Sequence, residues 1–190
     1  DENLAGSFNG TLLVATVVVL SFLALYYSGN KLVTKTDTSK IAKPVAIALM
    51  ISIGIGLHNF GEGLAIGASV GMGSIAFSTF LIVGFALHNT TEGIAIAAPM
   101  SRGKLMIGKL VALGLIAGSP AIFGAWIGGF AYSPFSSVVF LAVGAGAIFQ
   151  VILVLLKWIK DEGDKTLSSA AVICGFAVGM SIMYLTSIFV

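Results

Sequence analysis

Residues 110–156 of this chain, LVALGLIAGSPAIFGAWIGGFAYSPFSSVVFLAVGAGAIFQVILVLL, contain no charged side chain. Because one membrane-spanning helix needs about 20 consecutive apolar residues, this stretch is long enough for two spans joined by a tight turn. The whole chain of 190 residues is 57% hydrophobic and 9% charged, with a mean hydropathy of +1.05. Soluble domains carry about 25% charged residues. The composition therefore excludes a water-soluble globule and predicts an integral membrane protein.

On either side of this stretch, apolar runs bounded by charges or by Gly, Pro and Ser clusters predict four more helices. We expect an all-α polytopic membrane protein: an antiparallel bundle of six transmembrane helices, forming one domain over residues 1–190. The second and third helices should be adjacent. The predicted spans are about 7–28, 44–69, 74–98, 107–131, 135–158 and 167–190.

Prolines and regularly spaced glycines predict how the helices begin and pack. Pro44 and Pro134 suit the first turn of a helix, where the missing N–H has no helical partner, whereas Pro120 falls inside the fourth helix and should kink it. Small residues four apart let helix backbones approach closely in lipid. We expect such contacts at Gly63/Gly67/Gly71, Gly114/Gly118, Gly124/Gly128 and Gly175/Gly179.

All ten lysine and arginine residues lie in alternate connections between the predicted helices. The positive-inside rule places such connections in the cytoplasm, so we expect both ends of the chain outside and the protein in the plasma (cell inner) membrane. The net charge of +2 is a small lysine excess that sets topology, and nucleic acid is excluded as a partner. The acidic start at Asp1 is unlike a signal peptide, and we expect the numbering to begin inside a longer polypeptide.

Two of the eight acidic residues, Glu62 and Glu92, lie inside apolar helices. A charged side chain at a helix centre in the membrane costs about 2.5 to 3.5 kcal/mol on insertion scales, and such residues usually mark function. The only two histidines of the chain, His58 and His88, precede these glutamates by four residues each. This spacing places each His and Glu on one helix face.

The two segments also form a repeat. Residues 57–66, LHNFGEGLAI, and 87–96, LHNTTEGIAI, agree at seven of ten positions at an offset of thirty residues. Because consecutive spans run antiparallel, the repeat presents the same side chains from two opposed helices at similar depth. Gln150 is a further buried amide, which we expect a neighbouring helix to satisfy, the alternative being that it lines a path through the membrane.

Imidazole nitrogen and carboxylate oxygen are ordinary ligands of Zn²⁺, Fe²⁺ and Mn²⁺, and the absence of thiolate argues against a permanent structural zinc. A cation would also relieve the repulsion between two buried carboxylates. Each glutamate could bridge two ions, whereas each asparagine could either bind metal or hydrogen-bond to a neighbouring carbonyl. The candidate metal ligands are His58, Asn59, Glu62, His88, Asn89 and Glu92.

At these residues the sequence resembles the ZIP family of divalent-metal transporters, in particular the prokaryotic members. Both copies of the family's His-Asn-x-x-Glu-Gly motif stand here, at His58–Gly63 and His88–Gly93, and Ala98-Pro99 is similar to the end of the family's fifth helix. The resemblance implies that the six spans correspond to family helices three to eight. It also implies a homodimer and uptake of zinc foremost, or of iron, manganese, cadmium or cobalt, by an elevator-like movement, with metal as cargo, no other cofactor and no enzymatic step.

Two other functions remain open from the residues alone. A bis-histidine haem protein for electron transfer could use His58 and His88 as axial ligands, although it leaves the glutamates unexplained. An intramembrane metallohydrolase could use a glutamate as base, although the His-Glu-x-x-His arrangement is lacking.

Overall fold

The computed structural model describes residues 10–34, 42–101, 106–161, 163 and 168–187, and these are helical apart from short turns. The helices are α1 (Gly10–Thr34), α2 (Lys43–Gly71), α3 (Ile75–Ala97), α4 (Ile107–Phe130), α5 (Pro134–Asp161) and α6 (Ala170–Ser187), and a 3₁₀ turn (Ala98–Met100) follows α3. This confirms the predicted all-α polytopic class. Parts of the predictions lie outside the described residues: positions 1–9, 167 and 188–190, and the loop cations Lys35, Lys40, Arg102, Lys104 and Lys165.

Five of these helices, α1 to α5, are long and apolar enough to cross a membrane. The sixth has a shorter apolar segment in its described part, Ala170–Leu185. α1 and α5 continue past the predicted membrane edge, to Thr34 and Asp161, because charged residues end a hydrophobic span without ending a helix. Pro44 lies in the first turn of α2 and Pro134 begins α5, as predicted.

α2 is the central helix of the bundle. It packs most extensively against α4 and next against α5, it contacts α3 over a smaller area, and it is the most buried of the spans. α1 packs against α5, and the main contact of α6 is with α3. A cluster of buried apolar side chains joins α2, α4 and α5 at the end of the bundle where α2 begins, and includes Ile47, Ile51, Ile55, Leu113 and Val151.

Glycines set the close approach of α2 and α4. A side chain at these positions would collide with the backbone of the facing helix, so only glycine permits the observed separation. The facing pairs are Gly63 with Ala121, Gly67 with Ala125, Gly124 with Phe60, and Gly128 with Leu64. The predicted close contact with another helix is wrong, within this chain, for four other glycines. A Cβ there would meet no described atom within 4 Å: Gly114, Gly118, Gly175 and Gly179.

Pro120 also lies in the α2–α4 contact, inside an α4 that continues to Phe130. Proline has no N–H to donate to the Ile116 carbonyl one turn earlier. That carbonyl oxygen faces α2 and would lie 2.7 Å from a Cβ at Gly56. The α2 glycine therefore leaves room for a carbonyl that the proline has released from the α4 ladder.

A tight turn makes α2 and α3 antiparallel neighbours. Gly73 takes a φ of +75°, a left-handed conformation that suits glycine, and only Met72, Gly73 and Ser74 separate the helices. Just inside the turn, the Ser69 and Ser78 hydroxyls lie 2.7 Å apart and join the helices. This hairpin brings the two copies of the sequence repeat opposite one another.

A glycine pair tests the packing of α2 on α4. Gly67→Ala places a methyl group against the Ala125 backbone, so we expect a loss of about 1–3 kcal/mol of stability, as for other overpacked cores. Gly118→Ala on α4 enters open space and should be neutral or gain up to about 1 kcal/mol from helix propensity. Thermal unfolding in detergent measures both, and equal effects would contradict this account of the interface.

Candidate metal centre

The hairpin of α2 and α3 brings all six predicted site residues to one region in the middle of the bundle. His58, Asn59 and Glu62 lie on α2, and His88, Asn89 and Glu92 lie on α3. Asn59, Glu62 and His88 are buried, and His58 keeps 32% of its side-chain surface exposed. The helices therefore shield the carboxylates, while one imidazole remains accessible.

Glu62 is at the centre of the cluster and has polar neighbours on three sides. Its Oε1 lies 2.5 Å from His88 Nε2 and 3.4 Å from His58 Nε2. Its Oε2 accepts a hydrogen bond from Asn89 Nδ2 at 3.3 Å. One potential ligand atom from each of Glu62, His58 and His88 lies within 4.8 Å of those of the other two. This trio is the part of the site most ready to hold a cation.

Glu92 completes the cluster from the opposite helix. It lies beside the Asn59 amide and within electrostatic reach of His58, Glu62 and His88. Its Oε2 is buried and has no hydrogen-bond partner. Two carboxylates therefore share one buried region with two imidazoles and two amides.

The side chains are arranged crosswise between the two repeat copies. Glu62 of α2 makes close contacts with the His-Asn pair of α3. Glu92 of α3 lies near the His-Asn pair of α2, with its Oε2 unpartnered among the described residues. This follows from the antiparallel hairpin, since moving four residues up one helix is matched by moving four residues down its neighbour. The ligand set thus has approximate two-fold symmetry, as in the inverted repeats that form midplane sites in transporters.

Three buried oxygen atoms of the cluster lack partners among the described residues. They are Asn59 Oδ1, Asn89 Oδ1 and Glu92 Oε2. The asparagines use their amino groups structurally, because Asn59 Nδ2 donates to the Ala117 carbonyl at 3.1 Å and Asn89 Nδ2 donates to Glu62. The hydrogen bond to a neighbouring carbonyl is therefore present at Asn59, whereas Asn89 donates to a carboxylate, and in both residues the amide oxygen has no partner among the described residues.

A cavity of about 310 Å³ opens beside the trio. It is bounded by α2, α3 and α5, with Met183 of α6 at its edge. The sequence did not identify three residues that support the candidate site. Phe85 and Gly144 line the cavity: Phe85 packs edge-on against His88, and Gly144 makes room for the His58 backbone. Ala117, outside the cavity, accepts the hydrogen bond of Asn59. Phe85 could have been found from its position three residues before His88, on the same helix face.

The donor geometry fits a tetrahedral ion after one local rearrangement. Zn²⁺ bonds of about 2.0–2.2 Å hold neighbouring donors roughly 3.3 Å apart. The 3.4 Å separation of His58 Nε2 and Glu62 Oε1 matches this spacing, whereas the 2.5 Å separation of His88 Nε2 and Glu62 Oε1 is too short. An incoming ion would therefore replace the His88–Glu62 hydrogen bond.

Comparison with protein-family models, with curated proteins and with solved structures finds no match for this chain.

Removing one charge at the centre tests whether the cluster binds metal. Glu62→Gln keeps the side-chain shape but loses the charge that faces both histidines, so we expect Zn²⁺ or Cd²⁺ affinity to fall at least about tenfold. Isothermal titration in detergent measures the affinity. Asp161→Asn, at the exposed end of α5, is the matched control and should bind as the unmodified protein does. Equal affinity in all three proteins would contradict a metal centre here.

Proposed function

We propose that this protein carries divalent transition-metal ions across a membrane through the centre formed by α2 and α3. The observation that supports this most strongly is the cluster in which Glu62 contacts the His-Asn pair of the opposite helix while the unpartnered Oε2 of Glu92 lies nearby. Two carboxylates held together inside an apolar bundle repel one another, and a divalent cation offsets that repulsion. The ion is the cargo, and no covalent chemistry is needed.

We further propose that the protein is a ZIP-type transporter of the prokaryotic kind, with zinc as the main cargo and iron, manganese, cadmium or cobalt as others. The motif residues support this proposal, because each motif copy contributes to a single cluster. Nitrogen and carboxylate ligands without thiolate bind these ions while allowing exchange. A transport site must release its ion as well as capture it.

The ligands divide into a nitrogen-rich part and an oxygen-rich part. His58, Glu62 and His88 suit one ion, while the free oxygens of Asn59, Asn89 and Glu92 suit another. α4 contributes only the Ala117 carbonyl to this region, and that carbonyl already accepts from Asn59. We propose that the first position is the main site, because it has the more compact donors.

Packing supports a movement of two helix groups against each other. α2 and α4 are locked by interdigitated glycines, and α1 is held to α5, where Ser21 of α1 lies against Gly146. Between these pairs, the α2–α5 contact is lined by small residues such as Gly54, Gly61 and Gly144. We propose that the group carrying α2, α3 and α4 slides along α1, α5 and α6 in an elevator-like cycle.

The described lysines support an orientation. Lys31, Lys43, Lys157 and Lys160 lie where α1 and α5 end and α2 begins, and Lys109 begins α4. We propose that this end faces the cytoplasm, that transport runs toward it across the plasma membrane, and that the protein acts as a homodimer.

The same geometry disfavours the two alternatives. A haem iron would need both imidazoles free on opposite sides of a porphyrin plane, but Glu62 Oε1 lies within hydrogen-bonding distance of His88 Nε2 and close to His58 Nε2. A metallohydrolase would need a glutamate that can reach an attacking water, whereas Glu62 is hydrogen-bonded to candidate ligand residues and Glu92 Oε2 is buried.

Ion flux into proteoliposomes tests the proposal. Glu62→Gln and Glu92→Gln should each abolish Zn²⁺ uptake, since either change leaves the partners of the opposite motif without their carboxylate. The folded state of each variant is checked by thermal unfolding. Phe130→Leu, at the exposed end of α4, should transport as the unmodified protein does, and normal flux in either glutamine variant would exclude this centre as the transport site.

A further inference from the structure

Gln150 of α5 is buried to 2% exposure, and its Oε1 has no hydrogen-bond partner among the described residues. The expectation that a neighbouring helix satisfies this amide is therefore wrong for the oxygen. Leaving a buried amide oxygen unpaired costs about 1–3 kcal/mol. An apolar residue of the same size would avoid that cost, so the amide needs another explanation.

Glycines on two other helices make room for this amide. A Cβ at Gly54 of α2 would lie 3.1 Å from Gln150 Oε1, and a Cβ at Gly29 of α1 would lie 3.7 Å from its Nε2. The thioether of Met50 reaches the same place, with its sulfur 3.3 Å from the Cβ position of Gly29. The amide therefore enters a gap between α1 and α2.

This gap is part of a cavity of about 210 Å³. It is lined by Gln150, Met50 and Ser28 together with Leu25, Gly29 and Ile53. The Ser28 hydroxyl donates to the Ala24 carbonyl of its own helix, which leaves its oxygen able to accept a cation. An amide oxygen, a hydroxyl oxygen and a thioether are all neutral metal ligands. Neutral ligands hold a divalent cation weakly, as suits a position that an ion leaves quickly.

The cavity lies between the metal centre and the lysine-bearing end of the bundle. Along α2, His58, Gly54 and Met50 follow one another at intervals of four residues, so they share one helix face. His58 lines the cavity of the metal centre, Gly54 contacts Gln150, and Met50 lines both the Gln150 cavity and a third one.

The third cavity, of about 100 Å³, lies at the charged end and is lined by Lys43, Lys157 and Asp161 among others. On α5, Gly144 borders the first cavity, Gln150 the second and Val154 the third. Gln150 lies six positions after Gly144, a rise of about 9 Å along the helix. Three cavities therefore follow one another along the contact of α2 and α5.

We propose that Gln150 is a second, transient site for a divalent cation, on the route between the His/Glu centre and the lysine-bearing end. Its Oε1 is the main ligand, and Met50 and Ser28 contribute weaker ones, with water completing the shell. This inference rests on the proposed transport function. The ion would occupy the Gln150 site before or after it occupies the His/Glu centre, and Gln150 is not a ligand of that centre.

Gln150→Leu tests the route, because leucine is an apolar, helix-favouring residue of similar size that carries no ligand atom. We expect the initial rate of Zn²⁺ uptake at saturating metal to fall at least about fivefold, while affinity at the His/Glu centre is unchanged by titration. Phe149→Leu, on the adjacent exposed face, is the control and should keep its rate. An unchanged rate in Gln150→Leu would overturn the proposal and leave Gln150 as a packing residue.

A binding measurement that does not depend on flux separates this proposal from the proposed function. In a Glu62→Gln, Glu92→Gln background, Gln150→Glu adds a charge to the cavity and should create a Cd²⁺ site detectable by titration. It should also raise the thermal unfolding temperature in Cd²⁺. Phe149→Glu in the same background should create none.

The outcomes are distinct. No Cd²⁺ binding by a folded Gln150→Glu protein would overturn the site at Gln150, whereas binding there with no flux in the unmodified protein would overturn the transport function alone. If Gln150→Glu does not fold, the rate of Gln150→Leu decides the question.

Discussion

Two carboxylates inside an apolar bundle need compensating partners, and the organisation of α2 and α3 follows from that need. Glu62 and Glu92 cannot be hydrated by lipid, so each must be met by hydrogen-bond donors or by a cation. The antiparallel hairpin supplies the donors by placing each glutamate opposite the His-Asn pair of the other helix. Three buried oxygen atoms of the cluster still have no hydrogen-bond donor among the described residues: Glu92 Oε2 and the amide oxygens of Asn59 and Asn89. These oxygens could bind a divalent ion.

Close backbone contact keeps this cluster in place without large side chains. Lipid tails are as apolar as leucine, so helices gain little from hydrophobic burial and associate through tight packing instead. The glycines of α2 and α4 provide such packing along the helix that carries Glu62. Gly144 of α5 lets its helix approach the backbone of α2 at His58, and it lines the cavity next to the candidate ligands His58, Glu62 and His88. Gly29 and Gly54 likewise leave room around the Gln150 amide, which lines a second cavity nearer the lysine-bearing end of the bundle.

Much of the fold could be predicted because single residues carry strong local signals. Pro44 and Pro134 mark helix starts through their missing N–H, and the length of each apolar run limits each span. The spacing of glycines was a weaker guide. Gly63/Gly67 and Gly124/Gly128 meet a facing backbone, but the equally regular Gly114/Gly118 and Gly175/Gly179 do not, because spacing along one helix contains no information about which face meets a neighbour.

The sequence by itself determined the membrane class, the six helices and the six polar residues that the helices bring together, because charge inside an apolar run is conspicuous. Only the tertiary structure decided how those residues are shared. It places His88 against Glu62, leaves the Asn59 oxygen free while its nitrogen binds Ala117, and buries Gln150 with an unpaired oxygen. These outcomes depend on the rotation of each helix about its axis and on contacts between residues far apart in the chain. Periodicity along one helix specifies neither.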